Sequence, residues 1–199
     1  MPMQTKSINS TVGTEGTITK IIGNMGQTNI ESIIIPEGRI RIEKGEYRKL
    51  KSLKSITIPG SVTSIGEDAF YGCESLESIN TPDGVTEITI TDGVMEIGRY
   101  AFYGCKSLKS IVIPDGVMEI GSSAFYNCIS LESIVIPGSV TSIGENAFRC
   151  CESLKSITIP DGVTEIGRLA FHDCKSLESI VIPGSVTSIG EKAFYGCES

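Results

Sequence analysis

The chain has one histidine, His172, and no motif places a serine or cysteine partner beside it, so no nucleophile–base pair can be assembled. It has no glycine-rich phosphate loop and no calcium-binding repeat of the form G-G-x-G-x-D-x-U-x. Its cysteines are not paired at the short C-x₂-C spacing of a zinc site, and neither a metal nor any other cofactor is expected. Basic residues are outnumbered, 17 Lys and Arg against 24 Asp and Glu, which gives a net charge of −7 and a pI near 4.8. That balance argues against nucleic acid and anionic membrane surfaces as partners, because both recruit basic patches. No apolar run approaches the ~18 residues of a spanning helix. The opening MPMQTKSINSTVG lacks the apolar core of a signal peptide, so none is expected.

What the sequence has instead is repetition. The frame Leu-x-Ser-Ile-x-Ile-Pro-x-x-Val-x-x-Ile-Gly-x-x-Ala-Phe-x-x-Cys-x-Ser starts at Leu53, Leu76, Leu108, Leu131, Leu154 and Leu177. Five copies are 23 residues long, and the copy at Leu76 carries nine more. A period in this range is the mark of a solenoid.

The copy at Leu131 predicts the shape of one coil. Ile134 and Ile136 flank Val135, the period-2 pattern of a strand with one buried face. Pro137 ends that ladder because it has no N–H, and Pro137-Gly138, like Pro114-Asp115-Gly116 elsewhere, is turn chemistry. Val140 and Ile143 predict a second, shorter strand. Ala147, Phe148 and Cys151 at i, i+1 and i+4 predict one helical turn with an apolar face. A single coil leaves that apolar side bare, and stacking buries it. The strands should then pair in parallel at about 4.8 Å. All six Phe share one slot and six of the seven Cys share another, which makes both columns core ladders. Stacked cysteines point in parallel, so reduced thiols are expected rather than disulfides.

The chain divides into a non-repetitive segment 1–29 and a solenoid 30–199. Within 1–29 the stretch 10–29 should cap the first coil edge, with a loose start. Residues 30–52 form a degenerate copy in which Tyr47 and Leu50 stand in for Phe and Cys. Coils 53–75, 76–107, 108–130, 131–153, 154–176 and 177–199 follow. In the second of these, Asp83–Ile88 recurs as Asp92–Ile97, which reads as a duplication slip bulging from one face. The last copy stops at Ser199 with no polar cap sequence after it, which points to a chain cut from a longer protein or paired end to end.

Any specificity must lie in positions that vary between copies. The second position alternates perfectly: Lys54, Glu77, Lys109, Glu132, Lys155, Glu178. Stacking would set opposite charges side by side, which reads as a ladder stabilising the register. Between the buried isoleucines stand Thr57, Asn80, Val112, Val135, Thr158 and Val181. They form an exposed, rather apolar stripe, which suits a protein-binding face and equally suits any strand. After each Phe come Tyr71, Tyr103, Tyr126, Arg149, His172 and Tyr195, read as a cover over the Phe ladder. Cys150 occupies a slot that elsewhere holds Gly72, Gly104, Asn127, Asp173 and Gly196, the types that tolerate φ > 0. It is the expected reactive thiol.

With these residues laid out, the chain resembles the BspA-like leucine-rich repeat family across 53–199 closely and 30–52 loosely. The resulting expectation is an α/β leucine-rich-repeat solenoid. It is right-handed, with a parallel sheet on the concave face, short second strands and one helical turn per coil. The resemblance implies no catalytic residues. It implies a surface or secreted module that binds a protein, as adhesins do, while the missing signal peptide leaves a cytoplasmic location open. The alternative is a structural module that self-associates through its last coil.

Overall fold

The computed structural model describes residues 20–23, 30–80 and 96–198. The first coil holds β1 (Lys20–Gly23), β2 (Ile30–Ile34) and β3 (Arg41–Ile42). Each later coil adds one three-residue and one two-residue strand. These are β4 (Ser55–Thr57) and β5 (Ser64–Ile65), β6 (Ser78–Asn80) and β7 (Glu96–Ile97), and β8 (Ser110–Val112) and β9 (Glu119–Ile120). They continue with β10 (Ser133–Val135) and β11 (Ser142–Ile143), β12 (Ser156–Thr158) and β13 (Glu165–Ile166), and β14 (Ser179–Val181) and β15 (Ser188–Ile189).

The second strands form one continuous parallel sheet in the order β15-β13-β11-β9-β7-β5-β3. The first strands pair in three groups: β1-β2-β4-β6, β8-β10 and β12-β14. β1 is the antiparallel member, lying against the outer edge of β2. Every parallel pair sets a buried isoleucine opposite an isoleucine, as Ile134 with Ile111 and Ile143 with Ile120. Most of the duplicated segment, residues 81–95, lies outside the described residues.

The core follows the repeat frame. Ile56, Ile58, Val62, Ile65, Ala69, Phe70, Cys73 and Leu76 are all fully buried, as are their counterparts through most of the stack. Phe rings stack coil on coil at centroid distances of 5.2–5.5 Å from Phe70 to Phe194, and Tyr47 extends the column by one ring. In the last coil this inward side is open: Ile182 and Ile189 are exposed, and Phe194 is only partly buried.

The expected helical turn is not there. Among the described residues there is no helix, and the segment around Ala147, Phe148 and Cys151 is a chain of turns. The reason is backbone hand. Asn146 and Cys150 have φ of 55° and 59°, and the same two slots are left-handed in the other coils, as at Asp68 and Gly72. A left-handed residue every fourth position cannot sit in a right-handed helix. The hydrogen bonds divide accordingly. Arg149 and Cys151 donate within the coil to Asn146 and Phe148, both at 3.1 Å. Asn146, Phe148 and Cys150 donate instead to Arg168, Ala170 and His172 of the next coil, at 2.8–2.9 Å. The bend is therefore a third inter-coil ladder.

Two glycine positions set the spacing. A Cβ on Gly144 would lie 2.6 Å from the Ser122 nitrogen, and one on Gly162 would lie 2.5 Å from the Gly138 oxygen. Only glycine permits those approaches. The alternation of Pro-Gly-Ser with Pro-Asp-Gly also has a physical basis. The Gly116 N–H donates to Ser139 Oγ (3.1 Å), and that hydroxyl donates to the Val117 carbonyl (2.8 Å). Ser61 accepts the Gly38 N–H in the same way.

Candidate functional site: the first-strand face

The strands that carry buried isoleucines inward also fix what points outward. In β8 and β10, Ile111 and Ile134 face the core, so Val112 and Val135 face solvent in register. Val135 and Val181 are 58% and 61% exposed, Thr158 is exposed, and Val112 and Thr57 are half-buried. Asn80 is in register with Thr57. Beside this stripe Lys54, Glu77, Lys109, Glu132, Lys155 and Glu178 are all exposed. The first strands thus carry Val112, Val135, Thr158 and Val181 at equivalent outward positions in successive coils.

The ion pairs expected there lie elsewhere. In this column only Lys54 has a charged partner among the described residues, Glu31 at 3.5 Å. Glu77, Lys109, Glu132, Lys155 and Glu178 form no ion pair among the described residues. Two other columns do pair laterally. One joins Lys44 to Glu67 (2.6 Å) and Arg168 to Glu145 (3.0 Å). The other joins Lys51 to Glu74 (3.2 Å), Lys106 to Glu74 (3.7 Å) and Lys175 to Glu152 (2.9 Å). Neighbouring lysines hold the carboxyls of Glu67 and Glu74 below their ordinary range, through hydrogen bonds first. From Glu77 to Glu178 the sheet-face charges remain available to an outside partner.

The tyrosine column is engaged with itself. Tyr71, Tyr103 and Tyr126 stack at 4.6 and 4.8 Å. The Arg48 guanidinium covers the free face of Tyr71 at 4.6 Å, and that of Arg149 lies 5.5 Å from Tyr126. Tyr100 packs edge-on against both Tyr71 and Tyr103. Burial, then the neighbouring phenols, raises the Tyr103 hydroxyl above its usual range. With both ends capped, no ring face of this stack is left for a ligand. The arginine caps were missed in the sequence. The signal was there, because Arg48 and Arg149 occupy the tyrosine slot itself.

Cys150 is half-buried, with its sulfur 4.0 Å from Asp173 Oδ2. Burial first, then the Asp173 carboxylate, raises its pKa, so the thiolate is disfavoured. His172 Nδ1 lies 2.9 Å from the same carboxylate oxygen without the alignment of a hydrogen bond. The carboxylate, not the imidazole, stands next to the sulfur, which is the wrong order for an activated nucleophile. Among the described residues no group of three His, Cys, Asp or Glu side chains could hold a metal ion. No helix among them is long and apolar enough to cross a membrane.

The model of the BspA type leucine rich repeat region matches residues 24–89 and 84–199. The chain belongs to this family. Its fold is similar to that of a leucine rich repeat protein of T. pallidum, at 32% identity and a TM-score of 0.74, over 86% of this chain and 84% of that one. It is also similar to a leucine rich cell surface protein of Faecalibacterium prausnitzii A2-165, at 32% identity and a TM-score of 0.58, over 85% of this chain and 58% of that one. A leucine-rich repeat protein of Bacteroides ovatus ATCC 8483 aligns at 29% identity and a TM-score of 0.55, with 85% and 59% covered. The chain thus spans little more than half the length of these last two structures. No curated protein matches it significantly in sequence. The family is a repeat scaffold, and nothing in these likenesses is an enzyme family.

Proposed function

We propose that this chain is a non-enzymatic protein-binding module whose first-strand face holds the ligand, in adhesion at a cell surface or capture of a host or matrix protein. One observation carries the reading. The sheet face combines exposed Val135 and Val181 with Lys109, Glu132, Lys155 and Glu178, which form no ion pair among the described residues, while the columns of Glu67 and Glu74 and the tyrosine stack are engaged within the molecule. A face left open on a rigid scaffold suits recognition. The description of one similar structure as a cell surface protein supports the location. The reading takes the solenoid as right-handed, as parallel crossovers almost always are, with the first-strand sheet on its concave side.

The test is binding of the immobilised chain to a panel of purified matrix and cell-surface proteins, with Val135→Glu and Val181→Glu as face variants. Retained folding with lost binding supports the face. Binding that ignores both substitutions places recognition elsewhere.

A further inference from the structure

The unpaired charges follow an order that selects a partner. In the four consecutive coils from Leu108 the face column reads Lys109, Glu132, Lys155, Glu178. Place a second copy against it, face to face and antiparallel, with the two-fold axis between Glu132 and Lys155. Glu132 then meets Lys155 of the other copy, Lys155 meets Glu132, and Lys109 meets Glu178. Every charge finds its opposite, because an alternating column of even length is its own complement under a two-fold axis. In-register parallel packing would set like on like. The apolar column follows the same symmetry, with Val135 opposite Thr158 and Val112 opposite Val181.

The fold has an opening at that axis. β10 and β12 lie side by side but fall in separate hydrogen-bonded groups. Ile113 and Ile159 donate their N–H to Val135 and Val181 of the next strand, at 3.2 and 3.0 Å, and Ile136 makes no equivalent bond to Thr158. The Lys155 N–H reaches Glu132 at 3.5 Å, where the matching bond of Glu132 to Lys109 is 2.7 Å. Ile134 and Ile136, 7% and 8% exposed, are the least covered of the first-strand isoleucines between Ile56 and Ile159. Of the three junctions from β8 to β14, the central one, between β10 and β12, is therefore the least bonded.

We propose that the first-strand face binds a second copy of this chain as an isologous antiparallel dimer, centred between Glu132 and Lys155. This names the partner for the face put forward above and rests on that reading. A closed two-fold contact is the commonest form of self-association. Three-residue strands make a narrow strip, so the dimer belongs to the weak class of interfaces below about 1,200 Å². It exchanges rapidly and matters where copies are crowded. Its specificity comes from exposed charges, so salt dissolves it.

The experiment is sedimentation equilibrium from roughly micromolar to millimolar chain, a range that brackets weak contacts, at about 0.05 M and about 1 M salt. Wild type should dimerise at low salt and lose the dimer at high salt. Glu132→Lys alone and Lys155→Glu alone should each weaken association about tenfold or more, since each sets two like-charged pairs at the axis. An equimolar mixture of those two variants should recover it. The positive charge placed at position 132 of one variant then meets the negative charge placed at position 155 of the other, and the native Lys155 of the first meets the native Glu132 of the second. The double reversal should recover it too, although it spoils the alternation within each chain. A general loss of stability cannot produce either recovery, and thermal melts of the variants check that the fold is kept. A monomer at every concentration overturns the proposal. So does a dimer indifferent to both reversals, or a mixture no tighter than its parts. If the chain stays monomeric yet binds a foreign protein that Val135→Glu releases, the self-partner fails and the binding face stands.

Discussion

The thiol of Cys128 donates to the carbonyl oxygen of Phe102, 3.1 Å away in the coil before it. The same carbonyl accepts the Cys105 N–H of its own coil at 3.2 Å. Cys151 and Cys174 repeat the arrangement on Phe125 and Phe148. The cysteine column is thus more than a set of small apolar fillers. Each of these thiols links one coil to the aromatic ladder of the previous one, and the cysteines are free thiols.

Alkaline pH should undo this. Burial pushes the Cys73 and Cys128 thiols from 9.0 up to about 12, so the fold favours the protonated form. An unfolded chain loses those protons first. Below pH about 9 both states hold them and the contribution is complete. As pH rises from there through about 12, the unfolded state binds fewer protons and stability falls. Urea midpoints should hold steady between about pH 7 and 8.5 and drop above that, and the drop should shrink in a Cys128→Ser variant. An unchanged slope in that variant would contradict the ladder.

Gly144→Ala and Gly138→Ala should separate cleanly. The added methyl at 144 meets the backbone of Ser122 and Gly121 below 3 Å, and that backbone is tied to the previous coil at Ile97 and Tyr100. At 138 it meets nothing within 4 Å. The first change should cost about 1–3 kcal/mol or more. The second should stay within about 0.5 kcal/mol. Chemical denaturation of both variants is sufficient to check this.

Much of this architecture was legible in the sequence, because a repeat reports the same environment six times. The isoleucine alternation gave the first strand, and the invariant Phe and Cys slots gave the core. The bend was misread for a definite reason. Ala147, Phe148 and Cys151 have helical spacing, but spacing does not report the sign of φ. One left-handed slot was visible, through Gly72, Gly104 and Asn127. The other holds Asp68, Tyr100, Ser123, Asn146, Leu169 and Lys192, too mixed to betray its conformation. From Asp68 to Leu169 each of these residues donates its N–H to the next coil, a tertiary bond that their side chains do not announce. The candidate face was legible in position but not in its state of pairing, since three columns alternate in charge and only side-chain reach decides which of them close.

Cys150→Gly turns the strained slot into a gain. Cys150 has φ 59°, a conformation that costs a side-chain-bearing residue about 1–2 kcal/mol, and Gly fills the slot in three other coils. Against that stands the extra entropy a glycine loses on folding, of order 0.5–1 kcal/mol. The net should be a stabilisation of up to about 1 kcal/mol, read as a rise in melting temperature. The variant should also remove one of two accessible thiols, since Cys150 and Cys197 alone are not fully buried. A drop in stability would mean that the contact with Asp173 outweighs the backbone strain.

Phe148→Ala and Lys109→Ala test inside against outside. Phe148 is fully buried, with the rings of Phe125 and Phe171 stacked on it at 5.4 and 5.3 Å. Removing it opens a cavity between coils whose backbones are bonded through the second-strand sheet and the turn ladder, so little collapse can fill it. The cost should fall at about 3–5 kcal/mol. Lys109 is exposed and has no ion pair in the described residues, so its removal should cost well under about 1 kcal/mol. Because each coil touches only its neighbours, the Phe148 cavity should also split cooperativity. Hydrogen exchange should accelerate first at Asn146, Phe148 and Cys150, whose N–H groups bridge to the next coil, while the amides of β3 and β5 keep their protection. Equal losses for the two substitutions would reverse the assignment of core and face.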